Sequence, residues 1–226
     1  MKPVRILAGA AFAAVSAFAV AVPFDAARAV TITNGSFESG PVVPDGQFIT
    51  LNAGDGSVTG WTINSGSLDY IQGYWQAADG THSLDLNGLS AATISQLVTG
   101  LTLNTSYTVS FYLSGNPDAG PTNKTLDVTA SAGSQSYLYT IGANTRSNMD
   151  WVQETFTFLA TDSSALLSFV STVTSGGTND NPAAFGPALD NVSIVATTPL
   201  PAALPLFASG LGLLGLLRYR RQRAAA

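Results

Sequence analysis

The sequence predicts an all-β fold, an antiparallel β-sandwich, over residues 30–198. Three observations carry this. No apolar repeat at helical spacing stands out in that stretch. Short runs rich in β-branched and aromatic residues recur instead, bounded by Gly, Asn, Asp and Pro. Several of those runs alternate with a period of two.

In chain order the expected strands are 30–33, 47–51, 58–64, 68–71, 82–86, 92–97, 106–114, 124–130, 135–140, 151–159, 165–170 and 189–195. Tyr107, Val109, Phe111 and Leu113 are two residues apart, so they share one face of a strand. Trp151 joins Phe156 and Phe158 less regularly. Residues 115–121 and 175–187 hold the Gly, Pro, Asn and Asp clusters that make surface loops.

The two ends of the 226-residue chain differ from this middle. Lys2 and Arg5 precede an almost wholly apolar stretch at 6–22, and Ala27-Arg28-Ala29 is a small-x-small cleavage site. Residues 1–29 therefore form an export signal, with Val30 as the expected mature start; the competing interpretation is a permanent membrane anchor. At the other end Pro199-Leu200-Pro201 precedes apolar residues 202–217 and a cluster of four arginines at 218–223. Sixteen residues of helix span about 24 Å, just short of a comfortable membrane crossing. The arginines would stay on the cytoplasmic side, leaving the middle domain outside.

Residues 30–198 carry 13 acidic side chains and two basic ones, Lys124 and Arg146, for a net charge of −11 against −5 for the whole chain. Such a surface repels phosphate backbones, which excludes nucleic acid as a partner. There is no cysteine, hence no disulfide and no thiolate metal site.

The order Pro motif, short apolar helix, Arg cluster resembles the PEP-CTERM sorting signal read by exosortases, with Leu200 where the usual signal has Glu. The resemblance implies an exosortase-type sorting enzyme as partner, transient inner-membrane anchoring, and delivery to the cell surface or extracellular matrix. A plain carboxy-terminal anchor is the alternative. Within the middle domain, Asn34-Gly35-Ser36-Phe37-Glu38, Gly60-Trp61-Thr62 and the closing Leu189-Asp190-Asn191-Val192 are similar to galactose-binding-like jelly rolls. With Tyr74-Trp75-Gln76-Ala77-Ala78-Asp79-Gly80 between them, the set resembles the choice-of-anchor C family. That resemblance implies a jelly roll and a binding role, and implies no activity.

Catalysis finds little support in the residues. The one histidine, His82, lies inside an expected strand, and no nucleophile elbow, phosphate loop or His-x-x-x-His pair occurs. Glu38 and Glu154 are the only glutamates, and nothing in the sequence sets them at glycosidase spacing. A structural calcium ion is the expected cofactor. The jelly-roll resemblance implies its ligands, an early Glu, a late Asp and an Asp-Gly loop, matched here by Glu38 after the first strand, Asp190 in the last and Asp79-Gly80, all offering the hard oxygens that calcium takes. The alternative is that these acids cap turns. Tyr74 and Trp75, in a Gly- and Gln-containing turn, are the expected sugar-stacking residues, whereas Trp61 and Trp151 read as core. The function expected is a noncatalytic exported protein that binds extracellular polysaccharide. A structural or adhesive protein-binding module is the second choice, and a glycoside hydrolase the third.

Overall fold

The computed structural model describes residues 30–197, and all of their regular structure is β-strand. Six strands form one antiparallel sheet: β1 (Gln47–Asn52), β3 (Ser67–Gln72), β4 (His82–Asp85), β11 (Pro187–Ala196), β6 (Ser106–Gly115) and β9 (Val152–Leu159), in the order β1-β3-β4-β11-β6-β9. Five form the other: β2 (Thr62–Ser65), β5 (Thr93–Thr99), β10 (Ser164–Ser171), β7 (Asn123–Ala130) and β8 (Gly133–Thr140), in the order β2-β5-β10-β7-β8. Most neighbours in each sheet are distant in sequence, as in jelly-roll sandwiches. Residues 1–29 and 198–226, with the expected export signal and the 202–217 helix, lie outside the described residues.

The period-two pattern decides which faces meet. Tyr107, Val109, Phe111 and Leu113 of β6 turn inward and are buried, as are Leu126 and Val128 of β7 and Leu167 and Phe169 of β10. Phe111 meets Tyr137 and Phe169 edge-on at 5.1 and 5.2 Å between ring centroids. Burying a side chain of that size stabilises by about 1.5–3 kcal/mol, and aromatic geometry adds about 0.5–1.5 kcal/mol more. Trp61 belongs to this core, 5.3 Å from Phe37 and 6.0 Å from Phe169.

Two expected strands change. Residues 30–33 form no strand; the side-chain amide of Gln96 stands in for a partner strand, accepting from Thr33 N at 2.7 Å and donating to Thr33 O at 2.9 Å. Residues 58–61 form a turn closed by Trp61 N donating to Val58 O, with Gly60 at a φ of 82°, so only Thr62–Ser65 is strand.

A second, smaller apolar cluster lies outside the sandwich core. Ile71, Trp75, Met149 and Ala188 pack together, with Tyr74 and Trp151 against them. β3 is consequently buried along both faces. The outer face of the six-stranded sheet thus carries a partial third layer.

Candidate functional site

On that covered face, strand pairing sets side chains in rows. Phe48 faces Ile71 and Thr50 faces Asp69 across β1 and β3, and Asp69 faces Asp85 across β3 and β4. Loops rise on the other side of these rows and leave a cleft of about 150 Å³, among whose lining residues are Phe48, Asp69, Tyr74, Asp118, Asn181 and Phe185.

Buried polar groups hold the loops. Asp85 is fully buried and accepts from Asn87 N and Gly186 N at 2.9 Å each, and from Asn116 Nδ2 at 2.7 Å. Asn87 donates to Val173 O and Ala183 O at 2.7 and 2.5 Å, and accepts from the Ser171 hydroxyl. A Cβ on Gly186 would collide with the Asn87 side chain, so this close approach requires glycine. The buried Lys124 ammonium donates to Ala119 O and Phe185 O, tying the 116–121 and 173–186 loops together. Burial pushes its pKa down to about 8, against an upward pull from Asp85.

Of the two carboxylates that line the cleft, Asp118 has both oxygens bonded to Tyr74 and Arg146, and Asp69 keeps one unused. Asp69 Oδ1 accepts from Thr50 Oγ1 at 2.6 Å, and among the described residues no donor reaches Oδ2. Burial pushes its pKa up to about 6, with the Thr50 bond opposing. Burial, reinforced by the Asp69 charge, pushes Asp85 up to about 7. A desolvated acid with an unused acceptor in a cleft has the character of a ligand-binding group.

The aromatic wall is Phe48, 40% exposed, set edge-on to Tyr74 at 5.0 Å. Tyr74 donates from its hydroxyl to Asp118 Oδ2 at 2.9 Å, and the Arg146 guanidinium sits 4.1 Å over its ring. Arg146 Nε in turn donates to Asp118 Oδ1 at 2.7 Å. Tyr74, expected as a sugar-stacking residue, thus stands on the cleft wall with one ring face covered. Trp75 departs from expectation. It is 2% exposed, donates from its indole nitrogen to Ser83 Oγ at 2.7 Å, and offers no free ring face. Trp151, expected in the core, is half-buried on the outer layer and donates to Gln76 O.

The expected calcium ligands do gather on one loop. Glu38 reaches Thr81 and His82, while Asp190 reaches Ala78 and Asp79. Their oxygens, however, take protein donors. Glu38 Oε1 accepts from Thr81 N and His82 N; Oε2 accepts from Thr81 Oγ1 and from His82 Nδ1. All four of its lone-pair directions are thereby used. Asp190 accepts from three backbone amides, those of Ala78, Asp79 and Asn191. Among the described residues no three His, Asp or Glu side chains converge as a ligand set. These contacts match the alternative in which the acids cap the Asp79-Gly80 turn, where Gly80 has a φ of 65° and a Cβ would strike the Glu38 carboxylate. Burial opposes the Glu38 charge, but the bonds from His82 and Thr81 prevail and lower its pKa.

Sequence reasoning missed Phe48, Asp69, Asp118, Asn181 and Phe185. One signal was present: Leu68-Asp69-Tyr70 and Leu84-Asp85-Leu86 each set an acid inside an apolar strand, where it must be covered or used.

The family model described as "Protein of unknown function (DUF642)" matches residues 30–195. Halomucin of Haloquadratum walsbyi is 32% identical over 213 residues, which cover 90% of this chain and 2% of that protein's length. Among solved structures, the fold is similar to CBM35 from Paenibacillus barcinonensis (18% identity, TM-score 0.41, 66% of this chain and 99% of that one). It is similar also to the CBM22-1 xylan-binding domain of Xyn10C from the same organism (20%, 0.41, 70% and 100%) and to CBM35 from Cellvibrio japonicus Abf62 (13%, 0.42, 67% and 95%).

Proposed function

This chain belongs to the DUF642 family, and from that premise we propose that its sandwich is a noncatalytic module that binds extracellular polysaccharide in the cleft beside Phe48. One observation carries the proposal: an exposed aromatic ring and the unused carboxylate oxygen of the largely buried Asp69 line the same small cleft. A pyranose presents C–H groups on its faces and hydroxyls at its rim. Phe48 suits the first and Asp69 Oδ2, with the Asn181 side chain, suits the second. The volume falls below the roughly 300–1,000 Å³ of drug-sized sites, which fits one ring of a longer chain. The ends supply delivery: residues 1–29 direct export, and the Pro199-Leu200-Pro201 tail directs sorting to the cell surface.

A structural, protein-binding module is the second choice. Leu97 and Leu166 are direct cross-strand partners on the outer face of the five-stranded sheet, and both are more than half exposed.

A glycan array probed with the purified full-length protein tests the proposal. Binding to defined glycans that is lost in Phe48→Ala supports it. An array with no bound glycan, alongside self-association, favours the second choice.

A further inference from the structure

We propose that the cleft continues past Tyr74 into a second groove, and that Arg146 there takes a carboxylate carried by the polysaccharide. The inference rests on the glycan-binding proposal and names the class of glycan: a uronic acid polymer.

The second groove has a volume of about 490 Å³, with Tyr74, Gln76, Thr81, Arg146 and Ser147 along it. Tyr74 and Trp75 line the groove and the cleft alike, so the two spaces share one wall. A linear ligand crossing that wall puts one ring beside Phe48 and Asp69 and the next beside Arg146.

Arg146 is built for such a contact. It is the one exposed basic side chain among the described residues, Lys124 being buried. Three contacts fix it: the Nε bond to Asp118, the stack over Tyr74, and its carbonyl accepting from Gln76 N at 2.8 Å. Its side chain is nonetheless 51% exposed, and its terminal N–H groups meet no acceptor among the described residues. A neutral side chain over Tyr74 would lack the cation–π attraction and the charged bond to Asp118. A guanidinium covers it and also presents planar donors that match a carboxylate in two parallel bonds. In a domain of net charge −11, a polyanion gains nothing from long-range attraction. Selectivity for it must come from this local contact.

Calorimetric titration of the full-length protein with a uronic acid trisaccharide and a neutral trisaccharide of the same linkage tests this. The wild type should bind the acidic sugar at least tenfold more tightly. R146Q should weaken acidic binding by about ten- to a hundredfold, the value of a charge-assisted hydrogen bond, and weaken neutral binding several-fold less, through the lost support of Tyr74 and Asp118 alone. R146K should restore only part of the loss, because an ammonium lacks the fork. Equal wild-type affinity for the two sugars, or R146Q weakening both alike, overturns the assignment while leaving glycan binding in place. Failure of both sugars, with no glycan bound on the array, removes the glycan-binding proposal as well.

Discussion

Asp69 and Asp85 stand directly opposite each other across β3 and β4, with Asp69 open to the cleft and Asp85 sealed beneath its walls. Like charges in that position destabilise a sheet. The fold retains both: Asp85 holds loop backbone, and Asp69 keeps an oxygen free for a ligand.

Asp69→Asn should therefore separate stability from binding. The amide oxygen can still accept from Thr50, and the repulsion with Asp85 disappears. The melting temperature at pH 7.5 should rise by a few degrees, since about 1 kcal/mol corresponds to roughly 2–4 °C at this size. Glycan affinity should fall about tenfold or more, through loss of a charged acceptor. Calorimetric melting and titration of the same preparation read both effects.

Stability should also fall as pH rises from about 5 to 7.5. The folded-state pKa values of Asp69 and Asp85 are raised to about 6 and about 7, against about 3.9 for an unfolded aspartate. In that window the folded protein holds protons the unfolded chain has shed, so ν_U − ν_N is negative and the slope is downward. The lowered Glu38 pKa adds stability that is already in place above its unfolded value. Unfolding free energies from denaturant melts at pH 5 and 7.5 should differ by on the order of 4 kcal/mol from these two groups, and Asp69→Asn should flatten the slope.

Lys124→Met should loosen both cleft walls. The carbonyls of Ala119 and Phe185 lose their donor, and Asp85 loses its nearby cation. A cost of about 2–4 kcal/mol is expected for buried acceptors left without partners. Hydrogen exchange should quicken at 116–121 and 173–186 while the β6 and β10 amides stay protected.

Calcium at Glu38, Asp79 and Asp190 would have to displace the amides that now occupy Glu38 and Asp190. Melting curves in calcium and in chelator should coincide. A calcium-dependent rise that Glu38→Gln and Asp190→Asn abolish would instead assign the ion to these residues.

Mass spectrometry of the surface-exposed protein should find a mature start at Val30 and no Arg218–Arg223 cluster, if Pro199-Leu200-Pro201 is read as a sorting signal. Retention of the cluster on all surface protein would leave the plain anchor.

The strands were legible because alternation is a local property. Tyr107 to Leu113 needs no knowledge of its neighbours to declare a buried face. The two failures, at 30–33 and 58–61, arise where a side chain or a turn completes the backbone: Gln96, far along the chain, serves Thr33, and Gly60 bends what composition alone makes extended. The site was mostly hidden, because it belongs to no segment. Phe48, Asp69, Asn181 and Phe185 are brought together by sheet order and by loops that Asp85, Asn87 and Lys124 hold down. Trp75 misled for the same reason. Its Gly- and Gln-bearing turn suggests exposure, but the outer cluster with Ile71 and Met149 closes over it.

β11 begins at Pro187, two residues beyond the cleft-lining Phe185, and runs ten residues to Ala196, where Thr197 N donates to Ser106 O. At about 3.3 Å per residue, the chain leaves the sandwich roughly 30 Å from the cleft loops. A protein tethered through its carboxy-terminal side, beyond Thr197, would hold its binding mouth outward, a full sandwich length from the tether. A polymer could then be grasped without the attachment surface obstructing its approach.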